Sequence, residues 1–159
     1  MTMQATAQAH RVKLRQQAPD LRVQLAGGGE WRFAERRAEH FAMLRLDEFS
    51  ERAVEVIAIS GDTAERAERS VDEWKLDRLA IGYGLPEAAM HEWGLFVSSA
   101  IKDSEPARFS EPGLFLIQPN QAVFFESIQS MPWGRPQIDD LVGAIDFVIE
   151  NDYPARGEI

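Results

Sequence analysis

Glu87 and His91 are the two side chains whose types and spacing come nearest to a metal-binding or catalytic pair. They lie four residues apart, so on a helix they share one face, and carboxylate and imidazole groups both ligate zinc. Zinc sites in proteins typically take three or more protein ligands, and no third ligand lies at a suitable spacing. We therefore expect a surface ion pair between Glu87 and His91, and we predict no metal site.

The nucleophilic side chains of the chain form no recognisable catalytic group. Ser60, Ser98 and Ser99 lie outside any Gly-x-Ser-x-Gly motif, and nothing in the sequence connects a histidine to one of them. The sequence also contains no cysteine, which excludes disulfides, thiolate metal ligands and a thiol nucleophile from these 159 residues. We therefore predict no catalytic residue and no cofactor.

Asp62, Trp133 and Arg135 are the candidate pocket residues. Asp62 follows an apolar strand, where ligands bind open α/β sheets, although capping of the next helix by Asp62 or Thr63 is the simpler explanation. Trp133 and Arg135 lie in the loop 131–136, which is a candidate pocket wall or dimer contact with Arg135 as an anion donor. A rigid approach to the last helix is the simpler interpretation of this loop.

The composition indicates one globular domain that does not attract polyanions. Of the 159 residues, 45% are hydrophobic and 27% are charged, and the net charge is −9. This charge repels nucleic acid and anionic membranes, and no apolar run reaches the length of a membrane span. Residues 1–17 carry basic but no acidic side chains. We interpret them as an N-terminal extension of a cytoplasmic protein, with a transit peptide as the alternative.

Hydrophobic patterns predict an α/β order of elements. Gly27-Gly28-Gly29 provides the turn of a first hairpin, because glycine adopts positive φ without strain. The four tryptophans are assigned to core or hinge packing. The order predicts a mixed sheet with helices on both faces, as in the thioredoxin fold. Its elements are a hairpin (23–25 and 31–33), a parallel strand (54–60), a helix (64–74), a strand (79–83), a helix (86–93), a second hairpin (114–117 and 123–126) and a final helix from residue 138.

Four phrases of the sequence resemble one family in their order and spacing. They are Asp20 after Ala18-Pro19, VEVIAISGDTAERAE, FSEPGLFLI and FVIENDYPARGE. In these phrases the chain is similar to the peroxiredoxin-like branch of the alkyl hydroperoxide reductase and thiol-specific antioxidant family. The resemblance implies a single thioredoxin-fold domain over residues 18–159 and thiol-dependent reduction of peroxides. It also makes Pro112 a candidate for the cis-proline that the family carries beside the active site, although the sequence leaves the isomer open, because most X–Pro bonds are trans.

The cysteine-bearing segment that this resemblance implies is absent. In the family a strand leads into a helix whose N-terminus carries the reactive cysteine, where the helix dipole lowers the pKa of the thiol. Here the pattern passes from residues 41–44 (FAML) directly to the end of the first helix. About 20 residues, or one strand and one helix, are missing. We therefore expect a sheet without its usual central strand and first helix.

The link after FAMLRL restricts how this segment pairs. Only seven residues, 47–53, separate it from VEVIAIS, whereas a crossover between parallel strands needs about a dozen. Either FAMLRL pairs antiparallel with its neighbour, which a short link favours, or it takes the central position with a strained connection or one exchanged between subunits. A missing strand also leaves unpaired edges, which favours a homodimer.

Three functional hypotheses follow from the sequence. The first is a noncatalytic binding or dimerisation module on a thioredoxin fold, because no thiol remains. The second is a thiol peroxidase whose cysteine-bearing segment is missing from this sequence through truncation or error. The third is an enzyme that uses an unrecognised non-thiol site, for which a deep pocket with convergent polar groups would be the sign.

Overall fold

The computed structural model describes residues 16–33 and 46–157, which form eight strands and four helices. The strands are β1 (Arg22–Leu25), β2 (Glu30–Arg32), β3 (Ile57–Ile59), β4 (Ala80–Tyr83), β5 (Val97–Ser99), β6 (Arg108–Ser110), β7 (Gly113–Ile117) and β8 (Val123–Ile128). The helices are α1 (Leu46–Glu51), α2 (Ala64–Trp74), α3 (Glu87–Glu92) and α4 (Ile138–Asn151).

The strands pair in three groups. Four form a sheet in the order β2-β1-β4-β3, in which only β3 and β4 run parallel. β7 pairs antiparallel with β8, and β5 pairs antiparallel with β6. Both predicted hairpins and the predicted parallel pair are confirmed. The β5–β6 hairpin was not predicted, because its short strands alternate weakly between apolar and polar residues.

Two apolar clusters lie on opposite faces of the strands. Successive residues of a strand point to opposite faces, so β7 places Phe115 and Ile117 in cluster 1 and Leu114 and Leu116 in cluster 2. The buried members of cluster 1 are Leu21, Val23, Trp31, Phe33, Ile57, Leu85, Ala89, Met90, Trp93, Ile117 and Val123. Those of cluster 2 are Phe49, Val54, Val56, Ala67, Leu79, Ile81, Leu116, Leu141, Val142 and Ile145.

The helices divide between the same two faces. α3 buries Ala89 and Met90 in cluster 1, whereas α1, α2 and α4 bury Phe49, Ala67 and Leu141 in cluster 2. α2 begins where Thr63 accepts a hydrogen bond from the backbone N–H of Arg66, so Thr63 is the capping residue of the predicted pair. The prediction of a mixed sheet flanked by helices is therefore confirmed.

Two tryptophans lie outside the core, contrary to the prediction. Trp31 and Trp93 are buried, but Trp74 is 69% exposed and Trp133 is 78% exposed. Trp74 is the last residue of α2, where the chain turns through a left-handed Lys75, and only Ala67 of this helix is buried. Helical spacing alone does not show where a helix stops contacting the sheet.

β3 and β7 are edge strands of two separate sheets that contribute to the same two apolar clusters. Ile57 and Ile59 of β3 share cluster 1 with Phe115 and Ile117 of β7, and Ala58 shares cluster 2 with Leu116. No ladder connects the two strands, and no strand of the described residues pairs with the free edge of either. The predicted strand FAMLRL falls on residues 41–46, of which 41–45 lie outside the described part.

Residues 16–18 contact the turn between β7 and β8. The carbonyl of Gln16 accepts a hydrogen bond from Val123 N–H at 3.1 Å, and Ala18 N–H donates to the carbonyl of Gln121 at 3.0 Å. Gln17 also forms an isolated antiparallel bridge with Ala122. Gln16 and Gln17, which belong to the predicted extension 1–17, therefore hydrogen-bond to the domain. The extension itself stays a prediction.

Candidate functional site

An open apolar groove of about 320 Å³ runs between α4 and the β7–β8 hairpin. Its lining is predominantly apolar and comes from the strands on one side and the helix on the other. The apolar lining residues are Leu116, Phe124, Phe125, Pro136, Leu141, Ala144, Ile145, Val148 and Ile149. Because ligand sites in proteins are typically apolar concavities of about 300–1,000 Å³, this groove has the volume and character of a small-molecule site.

The helical wall of the groove is an apolar stripe on α4. Leu141, Ala144, Ile145, Val148 and Ile149 recur at i, i+3, i+4, i+7 and i+8, so they lie on one face. Leu141 and Ile145 are buried, whereas Ile149 is 54% exposed, so the stripe runs from the core out to the surface. This spacing is visible in the sequence, but it does not show which of these residues stay accessible.

Three polar residues complete the groove. Gln118 follows β7, Gln137 immediately precedes α4, and Asp140 lies in the first turn of that helix. The two amides offer both donors and acceptors, and the carboxylate offers acceptors only. The groove can therefore hold an apolar body and hydrogen-bond one polar end of it.

Asp62 lies at the carboxyl end of β3, as predicted, but its side chain is engaged locally. Its Oδ1 accepts a hydrogen bond from Arg66 Nε at 3.1 Å, and its carbonyl accepts one from Gly84 N–H at 2.9 Å. The guanidinium of Arg66 also donates to the carbonyl of Ser104 at 2.8 Å. Asp62 thus orders the start of α2 and the following loops, and it does not line the groove.

Pro112 has a trans peptide bond, because the described residues contain no cis bond. The isomer that the sequence left open is therefore trans, unlike the cis-proline of the family that the sequence resembles. The trans isomer, which X–Pro bonds favour by about 0.5–1 kcal/mol, is compatible with both flanking hydrogen bonds. Glu111 N–H donates to Phe96 O at 2.7 Å, and the carbonyl of Pro112 accepts from Gln129 N–H at 2.9 Å.

The loop 131–136 contributes its last residue to the groove, and not the predicted pocket residues Trp133 and Arg135. Pro136 lines the groove, but Trp133 and Arg135 are exposed and do not. Gln129 connects this loop with Pro112. Its backbone N–H donates to the carbonyl of Pro112, and its side chain packs over Gly134, where an added Cβ would lie 2.5 Å from Gln129 Oε1. The structure therefore brings Pro112 and the loop close together through Gln129.

Glu87 and His91 form the expected surface pair. His91 Nε2 lies 3.4 Å from Glu87 Oε1, both side chains are exposed, and Arg108 donates to the same carboxylate. The hydrogen bond from Arg108 is the main reason that the pKa of Glu87 lies below its ordinary value. Among the described residues no group of three potential ligands surrounds these side chains or any other position.

The serines occupy structural positions. Ser98 donates a hydrogen bond to Glu111 Oε1 at 2.6 Å, and Ser60 Oγ accepts one from the backbone N–H of Asp62 at 3.3 Å. Ser99 Oγ accepts a hydrogen bond from Arg108 at 3.3 Å. None of these contacts involves an imidazole that would activate a hydroxyl.

None of the helices within residues 16–33 and 46–157 combines the length and the apolar character that crossing a bilayer requires.

Comparison with known proteins finds similarity in structure but none in sequence. No protein-family model matches the chain, and no curated protein is significantly similar in sequence. The reduced 2-Cys peroxiredoxin of Plasmodium vivax aligns with a TM-score of 0.66 and 15% identity over 88% of this chain and 83% of that one. A peroxiredoxin-like protein of Aquifex aeolicus aligns with a TM-score of 0.65 and 14% identity, over 87% and 89%.

A third solved structure gives the same result. AhpC of Mycobacterium tuberculosis aligns with a TM-score of 0.62 and 12% identity, over 88% of this chain and 99% of that one. At identities this low, the alignments show a common fold and no more. The chain therefore has the thioredoxin-like α/β fold of the peroxiredoxins.

Proposed function

We propose that this chain is a noncatalytic binding module that holds a small apolar molecule in the groove between α4 and the β7–β8 hairpin. The observation that carries this proposal is the groove itself, with about 320 Å³ of space and a mostly apolar lining. An apolar ligand that enters it removes its own surface and that of Phe125 and Ile149 from water, at a gain of about 25 cal/mol per Å².

The negative charge of the chain restricts which ligands the groove can bind. Asp140 lies at the groove and the whole chain carries a net charge of −9, so an anionic ligand is repelled. Gln118 and Gln137 can hydrogen-bond a carbonyl, a hydroxyl or an amide. The ligand that we propose therefore has an apolar body and one polar end, and it is either uncharged or cationic.

Saturable binding of Nile red, an uncharged apolar fluorophore, tests the proposal. Ala144→Phe places a ring in the groove and should weaken binding about tenfold or more, which corresponds to about 1.4 kcal/mol. Gly143→Phe is the matched control, because Gly143 precedes Ala144 on the same helix, does not line the groove, and has open space around the position of a Cβ. Equal affinity in both variants would contradict the proposal.

Peroxide reduction by a thiol is not part of the proposed function. The chain contains no cysteine, and a methionine thioether is not a nucleophile of the kind that thiolate chemistry requires. The hypothesis that a cysteine-bearing segment is missing from this sequence predicts a different protein. Sequencing of the coding region across the Leu44–Leu46 junction distinguishes the two.

As a second candidate function, we propose that this chain is cytoplasmic and forms a homodimer. Phe147 of α4 is 52% exposed and Tyr153 is 39% exposed, and the two rings pack together with centroids 5.4 Å apart. Exposed large apolar side chains that cluster in this way typically belong to an interface. Light scattering over a dilution series tests this candidate. A mass of 17.9 kDa at every concentration would contradict it.

A further inference from the structure

One carboxylate lies in the apolar groove between α4 and the β7–β8 hairpin. Asp140 lines the groove, and every other described residue of the lining is uncharged. No described side chain forms a hydrogen bond or an ion pair with this carboxylate. Arg135, the cation nearest to it in the sequence, is exposed and does not line the groove. The described groove therefore presents a negative charge without a positive charge opposite it.

The helix that carries Asp140 adds further negative charge. α4 has the sequence IDDLVGAIDFVIEN, which contains four acidic residues and no basic one. Asp146 is neutralised by Arg52, whereas no described side chain pairs with Glu150. The electrostatic potential along this wall of the groove therefore favours a cation over an anion.

The positive end of the α4 dipole does not reverse this preference. The free amides of a helix N-terminus are equivalent to roughly half an elementary charge. Asp139 and Asp140 both lie in the first turn, and their two negative charges exceed this partial positive charge. The end of the groove beside Gln137 therefore stays negative, and an anionic head group is repelled there.

The strand wall of the groove provides aromatic rings. Phe124 and Phe125 of β8 both line it, and Phe125 is 36% exposed. The face of an aromatic ring carries negative partial charge and attracts ammonium groups. The rings and the carboxylate of Asp140 thus offer a cation two kinds of attraction, and both disfavour an anion.

The spacing along α4 limits the length of the ligand. Ala144 and Val148 follow Asp140 at i+4 and i+8, so the three side chains lie on one face of the helix. At a rise of 1.5 Å per residue, Asp140 and Val148 are about 12 Å apart along the axis. A ligand with its head group at Asp140 can therefore extend an apolar body along this wall.

We propose that the groove binds a small amphiphilic cation, an organic ammonium ion whose apolar body is up to about 12 Å long. The ammonium group lies at Asp140. The apolar body lies along Ala144 and Val148, opposite the two phenylalanine rings of β8. This inference rests on the proposed function, and it narrows the uncharged and cationic ligands allowed there to the cationic ones.

Three ten-carbon chains that differ only in their head group test the proposal. Decylammonium, decanol and decanoate each compete with Nile red for the wild-type chain at pH 7, below micelle formation. Decylammonium should displace Nile red at about fivefold lower concentration than decanol, because an exposed ion pair contributes up to about 1 kcal/mol. Decanoate should bind more weakly than decanol. In about 1 M salt the advantage of decylammonium should shrink, because the Debye length falls to about 3 Å.

Two variants of adjacent residues separate Asp140 from the general charge of the helix. Asp140→Asn should lower the preference for decylammonium over decanol from about fivefold to about onefold. Asp139→Asn is the matched control, because it removes the same charge from the same helical turn at a residue that does not line the groove. It should retain the preference. Each preference compares two ligands on one variant, so a change in the stability of that variant affects both ligands alike.

The possible failures of this inference and of the proposed function differ. Equal displacement by decylammonium and decanol in the wild-type chain would overturn the inference and leave the proposed function intact. An equal loss of preference in Asp139→Asn and Asp140→Asn would also overturn it, because the total charge of α4 would then select the ligand. Absence of saturable Nile red binding would overturn both proposals.

Discussion

Arg52 and Asp146 form a two-point ion pair between the turn after α1 and the middle of α4. Arg52 Nη2 donates to Asp146 Oδ2 at 2.7 Å, and Nε donates to the other carboxylate oxygen. The third guanidinium nitrogen, Nη1, donates to the carbonyl of Glu48 at 2.7 Å. One side chain thus joins α1 to α4 across the edge of cluster 2. The hydrogen bonds from Arg52 hold the pKa of Asp146 below its ordinary value of 3.8.

This pair predicts a loss of stability in acid. The pKa of Asp146 is lower in the folded chain than in the unfolded chain, so its stabilising contribution is complete well above pH 3.8 and is lost as pH falls through the folded value. Asp146→Asn should therefore lower stability at pH 7 and flatten the decline of stability below about pH 4. Urea midpoints between pH 2 and 7 measure both effects. Asp103→Asn, in an exposed turn, is the control and should leave the profile unchanged.

Phe49 is expected to be the most sensitive position of α1. Its side chain is fully buried in cluster 2, so Phe49→Ala leaves a cavity and should cost about 3–5 kcal/mol of unfolding free energy. Trp74→Ala removes a larger side chain that is 69% exposed and should change stability by less than about 0.5 kcal/mol. Denaturant titrations compare the two. Similar losses would show that exposure does not separate these positions.

We expect one added methyl group to have opposite effects on stability at Gly82 and at Gly143. A Cβ at Gly82 in β4 would lie 2.6 Å from Val23 Cγ2 and 3.2 Å from Ile59 Cγ1, so Gly82→Ala should destabilise by about 1–3 kcal/mol. Gly143 lies within α4 and has open space around it, so Gly143→Ala should stabilise by about 0.5–1 kcal/mol. Thermal melting of both variants measures the difference. A stabilised Gly82→Ala would contradict the packing between β1, β4 and β3.

Thiol-dependent peroxide consumption should be absent. The chain without cysteine should consume hydrogen peroxide in the presence of a thiol reductant no faster than buffer does, with a cysteine-containing peroxiredoxin as the positive control. Arg45→Cys, directly before α1, should not restore turnover, because this helix has only six residues and provides little stabilisation for a thiolate. Turnover well above buffer in either protein would overturn the prediction.

Local patterns predicted those parts of the fold whose hydrogen bonds are formed near in sequence. Gly27-Gly28-Gly29 indicated the first hairpin, in which Val23 pairs with Trp31, and an apolar run followed by Thr63 indicated β3 and the start of α2. The helix order then indicated a mixed sheet. Strand lengths were less predictable, because β3 covers only Ile57–Ile59 of the apolar run 54–60.

The sequence by itself determined the absence of thiol chemistry and the order of elements, because both depend only on residue types and local periodicity. The tertiary structure alone decided which apolar residues remain accessible: Trp133 is exposed, whereas Ala144 and Ile149 line a groove with Phe124 and Phe125. It also decided that β3 and β7 belong to separate sheets, although both contribute to the same two apolar clusters. Such relations depend on contacts between residues far apart in the chain, which spacing along the sequence does not encode.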